Sequence, residues 1–203
     1  MSSIMILPPP FAWITIPEGR VTLKKNQYNY DYIQTDTTFT VPPFQIAKYA
    51  ITNAQYAKFI EAGGYNDKQW WTEAGWTARS ENWQETYDPD GPGGHVGSRV
   101  KTDIAWTEPN EWTPSSWNKE IRHDDQPVCG VSWYEATAFC RWVSHATGEA
   151  VTLPTDQQWQ RAAGGDDGRL FPWGNEWDAT RCANSVGTRT HNRSLVYHYE
   201  GVG

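Results

Sequence analysis

Apolar positions along Pro127 to Ala163 recur with helical spacing, and two short polar signatures mark where each helical run begins. Ser132 stands three residues before Glu135, so its hydroxyl can accept the Glu135 N–H while the Glu135 carboxylate reaches back to the Ser132 N–H. This capping box satisfies donors that a helix start otherwise leaves orphaned. Ala136, Phe139, Cys140, Val143 and Ala146 then predict one buried face, and Gly148 supplies the left-handed residue on which such a helix ends. A strand-like run, Val151 to Leu153, follows. Pro154 and Thr155 open a second helix, with Gln158 as the partner of Thr155 and with Trp159, Ala162 and Ala163 on one side before Gly164-Gly165.

Upstream the period shortens to two. Ala12 to Ile16, Arg20 to Leu23, Thr38 to Val41 and Phe44 to Tyr49 read as strands, punctuated by Pro17, Gly19, Pro42 and Pro43. Thr52, with Gln55 three residues on, predicts another helix that buries Tyr56, Phe59 and Ile60 and stops at Gly63-Gly64. Residues 65–126 show no sustained periodicity, although Lys68 to Glu73 admits a short helix. This long segment holds Trp70, Trp71, Trp76, Trp83, Trp106, Trp112 and Trp117. Disordered chains are poor in aromatics, so the segment is expected to be an ordered, Trp-rich loop region, with Trp70, Trp71 and Trp76 packed on the helices. The Asp88-to-Gly94 tip is expected to be an exposed turn.

Composition and charge change this picture further. The chain has 203 residues, enough for one domain with a substantial core. It carries 13 tryptophans, yet hydrophobic residues make up only 38% and the mean hydropathy is −0.73, so the core must be aromatic rather than aliphatic. A formal charge of −7 with no basic stripe argues against nucleic acid as a partner. Three cysteines without a dense pattern argue against a disulfide scaffold and for a reducing compartment. Met1 to Leu7 lacks a basic region and meets Pro8-Pro9-Pro10, which makes a poor signal peptide. No apolar run approaches the ~20 residues that span a bilayer. A cytoplasmic protein without membrane association is expected.

The motifs also carry a family resemblance. Pro127, Val128, Val131, Ser132, Trp133, Ala136, Ala138, Phe139, Cys140 and Trp142 match a P-V-x-x-V-S-W-x-x-A-x-A-[YF]-C-x-W pattern. Leu153, Pro154, Thr155, Trp159, Ala162 and Ala163, then Phe171 to Gly174, then Ala183-Asn184, match the segments that follow it. Phe44 to Tyr56 matches F-x-I-x-K-Y-x-V-T-N-x-Q-Y, and Trp13 to Gly19 the opening strand. In these co-linear motifs the chain resembles the sulfatase-modifying-factor family, whose founding activity is that of the formylglycine-generating enzyme. The resemblance implies an α+β, C-type-lectin-like fold: few helices packed on short antiparallel strands, with long Trp-rich loops, as a single domain over residues 1–203. Ser194 to Gly203 is similar to a stretch that precedes the last part of that domain, so roughly its last third is expected to be missing from these residues, through a short divergent chain or because the piece lies elsewhere.

Fold alone does not license an activity. In catalytic members, the resemblance implies, a cysteine pair near the C-terminus binds copper(I) and uses dioxygen to oxidise a substrate cysteine to formylglycine. Copper(I) wants two soft thiolates. Cys140 falls on the apolar face of its helix and reads as a small buried hydrophobe. Cys129 and Cys182 would meet, as a metal pair or a disulfide, only through tertiary folding that spacing does not fix. Calcium-binding members use the Asn of the A-N motif and the next carbonyl, which the resemblance places at Asn184 and Ser185; Val186 to Arg193 adds no carboxylate. Asp88, Asp90 and Gly93 lack the ligand positions of an EF-hand. The five histidines are scattered and none pairs in an H-E-x-x-H sense; His145 and His198 read as surface residues.

Two functional classes follow. One is a non-catalytic domain serving as a ligand- or protein-binding module. The other is a copper-dependent oxidase acting on a protein cysteine, with its thiol pair on a further C-terminal segment. Either way, a protein partner or second polypeptide that completes the fold is expected, hence association rather than a lone monomer.

Overall fold

In the computed structural model the described residues are 7–25, 35–87, 96–101, 105–109 and 123–182, with side chains omitted for 84–87 and 96–100. They group into two compact units. The first comprises Leu7 and the described parts of Asn53–Asp124 and Val128–Leu153. The second comprises those of Pro8–Thr52, Asp125–Pro127 and Pro154–Gly203.

The first unit is built on helices. α1 (Asn53–Glu61) follows Thr52 directly and presents Tyr56 and Phe59, both essentially inaccessible to solvent. A 3-10 turn (Lys68–Trp70) is capped by Asp67, whose carboxylate accepts the Gln69 N–H. α2 (Glu73–Ser80) is capped by Thr72, whose hydroxyl accepts the Gly75 N–H at 3.0 Å. The antiparallel pair β5 (Trp83–Tyr87) and β6 (Val96–Lys101) follows. The stretch that reads from sequence as lacking periodicity therefore carries a helix and a hairpin. Both are too short for the period to show, and the start of α2 is set by the Thr72 cap rather than by an apolar repeat. The tip from Asp88 to Gly94 lies outside the described residues.

α3 (Trp133–Thr147) forms the spine of this unit. The Ser132–Glu135 capping box is present, and Gly148 ends the helix at φ +75°, a conformation that any Cβ would strain. Its buried stripe runs through Glu135, Ala138, Phe139 and Val143, whereas Ala146 is exposed. The core is aromatic: the Tyr56 ring stacks on Phe139 at 5.2 Å, and Phe59 lies 5.7 Å from Tyr65 and 5.8 Å from Trp142. Trp71 is buried against Tyr65 at 5.5 Å, its Nε1 donating to the Gly64 carbonyl at 2.9 Å. Arg141 donates to the Trp71 carbonyl at 2.9 Å and ties the 3-10 turn to α3. Trp71 is thus packed in this core, whereas Trp70 and Trp76 are half-buried. Val151 to Leu153 forms no strand; Val151 instead exchanges two hydrogen bonds with the Ser144 hydroxyl, at 2.9 and 3.0 Å, and this folds the segment onto α3.

The second unit holds two antiparallel pairs. β1 (Trp13–Ile16) pairs with β4 (Phe44–Ala47), Ile14 opposite Ile46. β2 (Gly19–Leu23) pairs with β3 (Thr37–Val41), Val21 opposite Phe39. Alternation along β2 and β3 buries Leu23 and Val41 and turns Thr22 and Thr38 outward, their hydroxyls 2.8 Å apart. α4 (Asp156–Gly164) lies against β2 and β3. Its capping box joins Thr155 and Gln158. The buried residue of α4 is Arg161, 3% exposed, while Trp159 is 59% exposed and Ala162 and Ala163 are half-buried. The apolar side expected from Trp159, Ala162 and Ala163 is therefore rotated. The reason is that Arg161 lays its long stem inward and places one guanidinium nitrogen on Asp166 at 2.7 Å and on the Pro17 carbonyl, although its Nε has no partner.

Few helices and short antiparallel strands are thus observed. No helix among the described residues is long and apolar enough to cross a membrane.

Candidate functional site

The sequence from Arg169 to Asp178 combines turn-forming Pro172, Gly174 and Asn175 with Leu170, Phe171, Trp173 and Trp177. The turn residues win locally. Phe171 and Gly174 exchange backbone hydrogen bonds at 2.9 and 3.0 Å, closing a tight loop. The Asn175 side chain accepts the Leu170 N–H at 3.0 Å, and Arg169 braces the loop by donating to the Pro172 carbonyl at 3.1 Å and to Asp167 at 2.8 Å. The Trp173 Nε1–H donates to the Glu176 carbonyl at 3.1 Å, so even the indole is used as a strut.

Thus braced, the loop displays its rings as a set. Phe171 stacks on Trp173 with centroids 5.4 Å apart and planes 9° apart, and Trp177 stands edge-on to Phe171 at 5.4 Å. Leu170 is 75% and Trp177 54% exposed. An apolar group held rigidly in water costs free energy that folding does not recover, and preorganised aromatic surface is what recognition sites present. Around the loop, Asp166, Asp167 and Asp178 each pair with an arginine (Arg161, Arg169 and Arg181). Glu176, between the two tryptophans in the chain, makes no ion pair among the described residues.

A second polar cluster lies buried in the helical unit. Tyr65 donates to Glu135 Oε1 at 2.5 Å, its oxygen lies 3.2 Å from that of Tyr56, and Glu135 Oε2 accepts the Ser132 N–H at 2.7 Å. Burial pushes the Glu135 carboxyl above its ordinary range, against the lowering effect of those donors. It also raises both tyrosines, which stay protonated. The group is built to hold α3 in place: each polar atom has its partner and it is closed to solvent.

The residues singled out from sequence are scattered by comparison. No disulfide joins Cys129, Cys140 and Cys182. Burial raises the Cys140 thiol to about 11, which disfavours the thiolate that copper(I) requires. Cys129 belongs to the first unit and Cys182 to the second. No cluster of three His, Cys, Asp or Glu suited to a metal occurs among the described residues. Asn184 and Ser185 lie outside them, as does His198. His145 is exposed, its ring 5.1 Å from that of Trp70. The exposed loop was visible in sequence only as a motif. Its spacing of aromatics around Pro172 and Gly174 did not say which way the rings would turn.

Capped helices beside short antiparallel pairs and an aromatic P-W-G loop define a domain of the sulfatase-modifying-factor class. The chain belongs to this family: residues 9–200 match the model of the sulfatase-modifying factor enzyme 1-like domain. Membership implies the C-type-lectin-like fold. The chain is 28% identical over 176 residues to a hercynine oxygenase of Mycolicibacterium thermoresistibile, covering 82% of this chain and 33% of that protein. It is 28% identical over 183 residues to the formylglycine-generating enzyme of Bos taurus, covering 83% and 44%. It is 30% identical over 151 residues to the inactive C-alpha-formylglycine-generating enzyme 2 of Mus musculus, covering 70% and 44%. The chain therefore spans a third to less than half the length of these relatives. By name, the family holds both enzymes and an inactive member.

Proposed function

We propose that this chain is a sulfatase-modifying-factor-like domain that acts without catalysis, as a module recognising a protein or other ligand. The observation that carries this reading is the braced loop that exposes Leu170 and Trp177 beside the half-buried, stacked rings of Phe171 and Trp173. Burial raises the Cys140 thiol to about 11, which speaks against Cys140 itself as a thiolate ligand for copper(I). The relative named as inactive is compatible with it. The same reading takes 1–203 as one domain with 65–126 as an integral Trp-rich part, and the burial of Trp71 supports the latter. It places the protein in the cytoplasm with a partner polypeptide, and assigns any calcium to Asn184 and Ser185.

The test has two arms. The chain is incubated with copper(I), dioxygen and a cysteine-containing peptide, and the peptide is analysed by mass spectrometry for aldehyde. Unchanged cysteine is the expected result; aldehyde formation overturns the reading in favour of a copper-dependent oxidase. In the second arm, a Leu170→Ser, Trp177→Ala double variant is compared with wild type in partner binding. Equal binding removes the loop from the proposal. For calcium, Asn184→Ala is expected to abolish any rise in melting temperature that added calcium gives the wild type.

A further inference from the structure

From the aromatic loop we infer the chemistry of the partner: a protein segment presenting a positively charged side chain, held between the exposed Trp177 indole and the Glu176 carboxylate. This rests on the reading of the loop as a recognition site. Three features converge. The first is the aromatic surface itself, whose ring faces attract cations through their quadrupole. Trp177 is more than half exposed and stands edge-on to Phe171, which is itself stacked on Trp173.

The second is the charge that remains after local pairing. Asp166, Asp167 and Asp178 are each neutralised by an arginine of the same unit, at 2.7, 2.8 and 3.3 Å. Glu176 is exposed and has no such partner among the described residues. The uncompensated charge of the loop is therefore one carboxylate, next to Trp177 in the chain and tied to Trp173 through its own backbone carbonyl at 3.1 Å. The third is the net charge of −7 on the whole chain, which draws a cationic partner and repels an acidic one. An uncharged apolar occupant would cover the rings but leave Glu176 desolvated and unpaired, a cost that a cation removes.

The probe is a short peptide bearing two lysines, compared with the same peptide with both lysines acetylated, which keeps the shape and removes the charge. Binding is followed by NMR of the indole N–H resonances and by calorimetry. The expected result is a saturable response centred on Trp173 and Trp177, with the acetylated peptide at least about fivefold weaker, and with Trp177→Ala and Glu176→Gln each weakening the lysine peptide by about fivefold. Unchanged resonances elsewhere in each variant establish that it folds. Equal affinity for the two peptides, a response remote from the loop, or no binding of the lysine peptide overturns the inference. If the lysine peptide fails while the Leu170→Ser, Trp177→Ala variant still loses its partner, only the cationic chemistry is wrong and the loop remains a recognition site. If both fail, the recognition reading falls with it.

Discussion

The Tyr65 hydroxyl donates to Glu135 Oε1 at 2.5 Å, joining the loop after α1 to the first turn of α3 across 70 residues of sequence. Glu135 thereby serves two partners, since its other oxygen completes the capping box on Ser132. Tyr65→Phe leaves a buried carboxylate oxygen without its donor. The loss is expected to cost roughly 1–3 kcal/mol, read as a lower denaturant midpoint at unchanged slope. A variant as stable as wild type would mean that water replaces the hydroxyl.

The same carboxylate makes stability depend on pH. Burial raises Glu135 above its ordinary 4.5, so the native state binds its proton more tightly than the unfolded chain does. Its contribution is fully present below the unfolded value and is lost as pH rises through the native one. Glu135→Gln cannot titrate and is expected to flatten the decline of stability with rising pH on the alkaline side of 4.5. Tyr65→Phe, which removes a donor that favours the ionised form, is expected to steepen it. Denaturation midpoints at a series of pH values check both, and identical pH profiles for wild type and Glu135→Gln would remove Glu135 as the source.

Both helix entrances were legible in the sequence because a capping box is local: four residues contain the whole interaction. Ser132→Ala and Thr155→Ala are each expected to cost about 0.5–2 kcal/mol by chemical denaturation. Ser132→Ala is expected to cost more, because it also loosens the grip on Glu135. The reverse order would show that the Glu135 anchor does not depend on its cap.

Burial was less legible than helix position. Helical spacing alone ranks Ala146 with Phe139 and Val143, yet Ala146 is exposed and Glu135 is buried. The difference is made by Tyr65, a residue from another segment that supplies the donor a buried carboxylate needs. Trp159 and Arg161 exchange expected places for a similar reason. Asp166 pairs with the guanidinium and the Pro17 carbonyl accepts a hydrogen bond from it, and neither helical periodicity nor hydropathy contains that information. The aromatic loop shows the same limit at the site: its turn chemistry is local and readable, but the direction of its rings follows from the bracing by Arg169 and Asn175.

Gly19 tests the packing around Arg161. A Cβ on Gly19 would overlap the Arg161 guanidinium, whose Nε is buried without a hydrogen-bond partner. Gly19→Ala is therefore expected to destabilise by about 1–3 kcal/mol, since the buried charge cannot move without losing Asp166 or the Pro17 carbonyl. The paired variant Gly19→Ala, Arg161→Met relieves the overlap and removes the charge. If the overlap is the cause, the double variant is more stable than the sum of the single effects predicts. Strict additivity in a double-mutant cycle would show that Gly19 matters for its backbone alone.

Cys140 gives the last test, because its environment separates a packing residue from a reactive one. The thiolate is the reactive form, and burial raises this thiol from 9.0 to about 11. At pH 7 a maleimide or iodoacetamide reagent is expected to label Cys140 more slowly than an unperturbed cysteine in a model peptide. The labelling rate is expected to climb with pH until the thiol titrates near 11. Peptide mapping after timed quenching resolves the three cysteines, and Cys140→Ala identifies its peptide. Rapid labelling of Cys140 at neutral pH would contradict its protonated, packed state and would reopen it as a ligand for a soft metal.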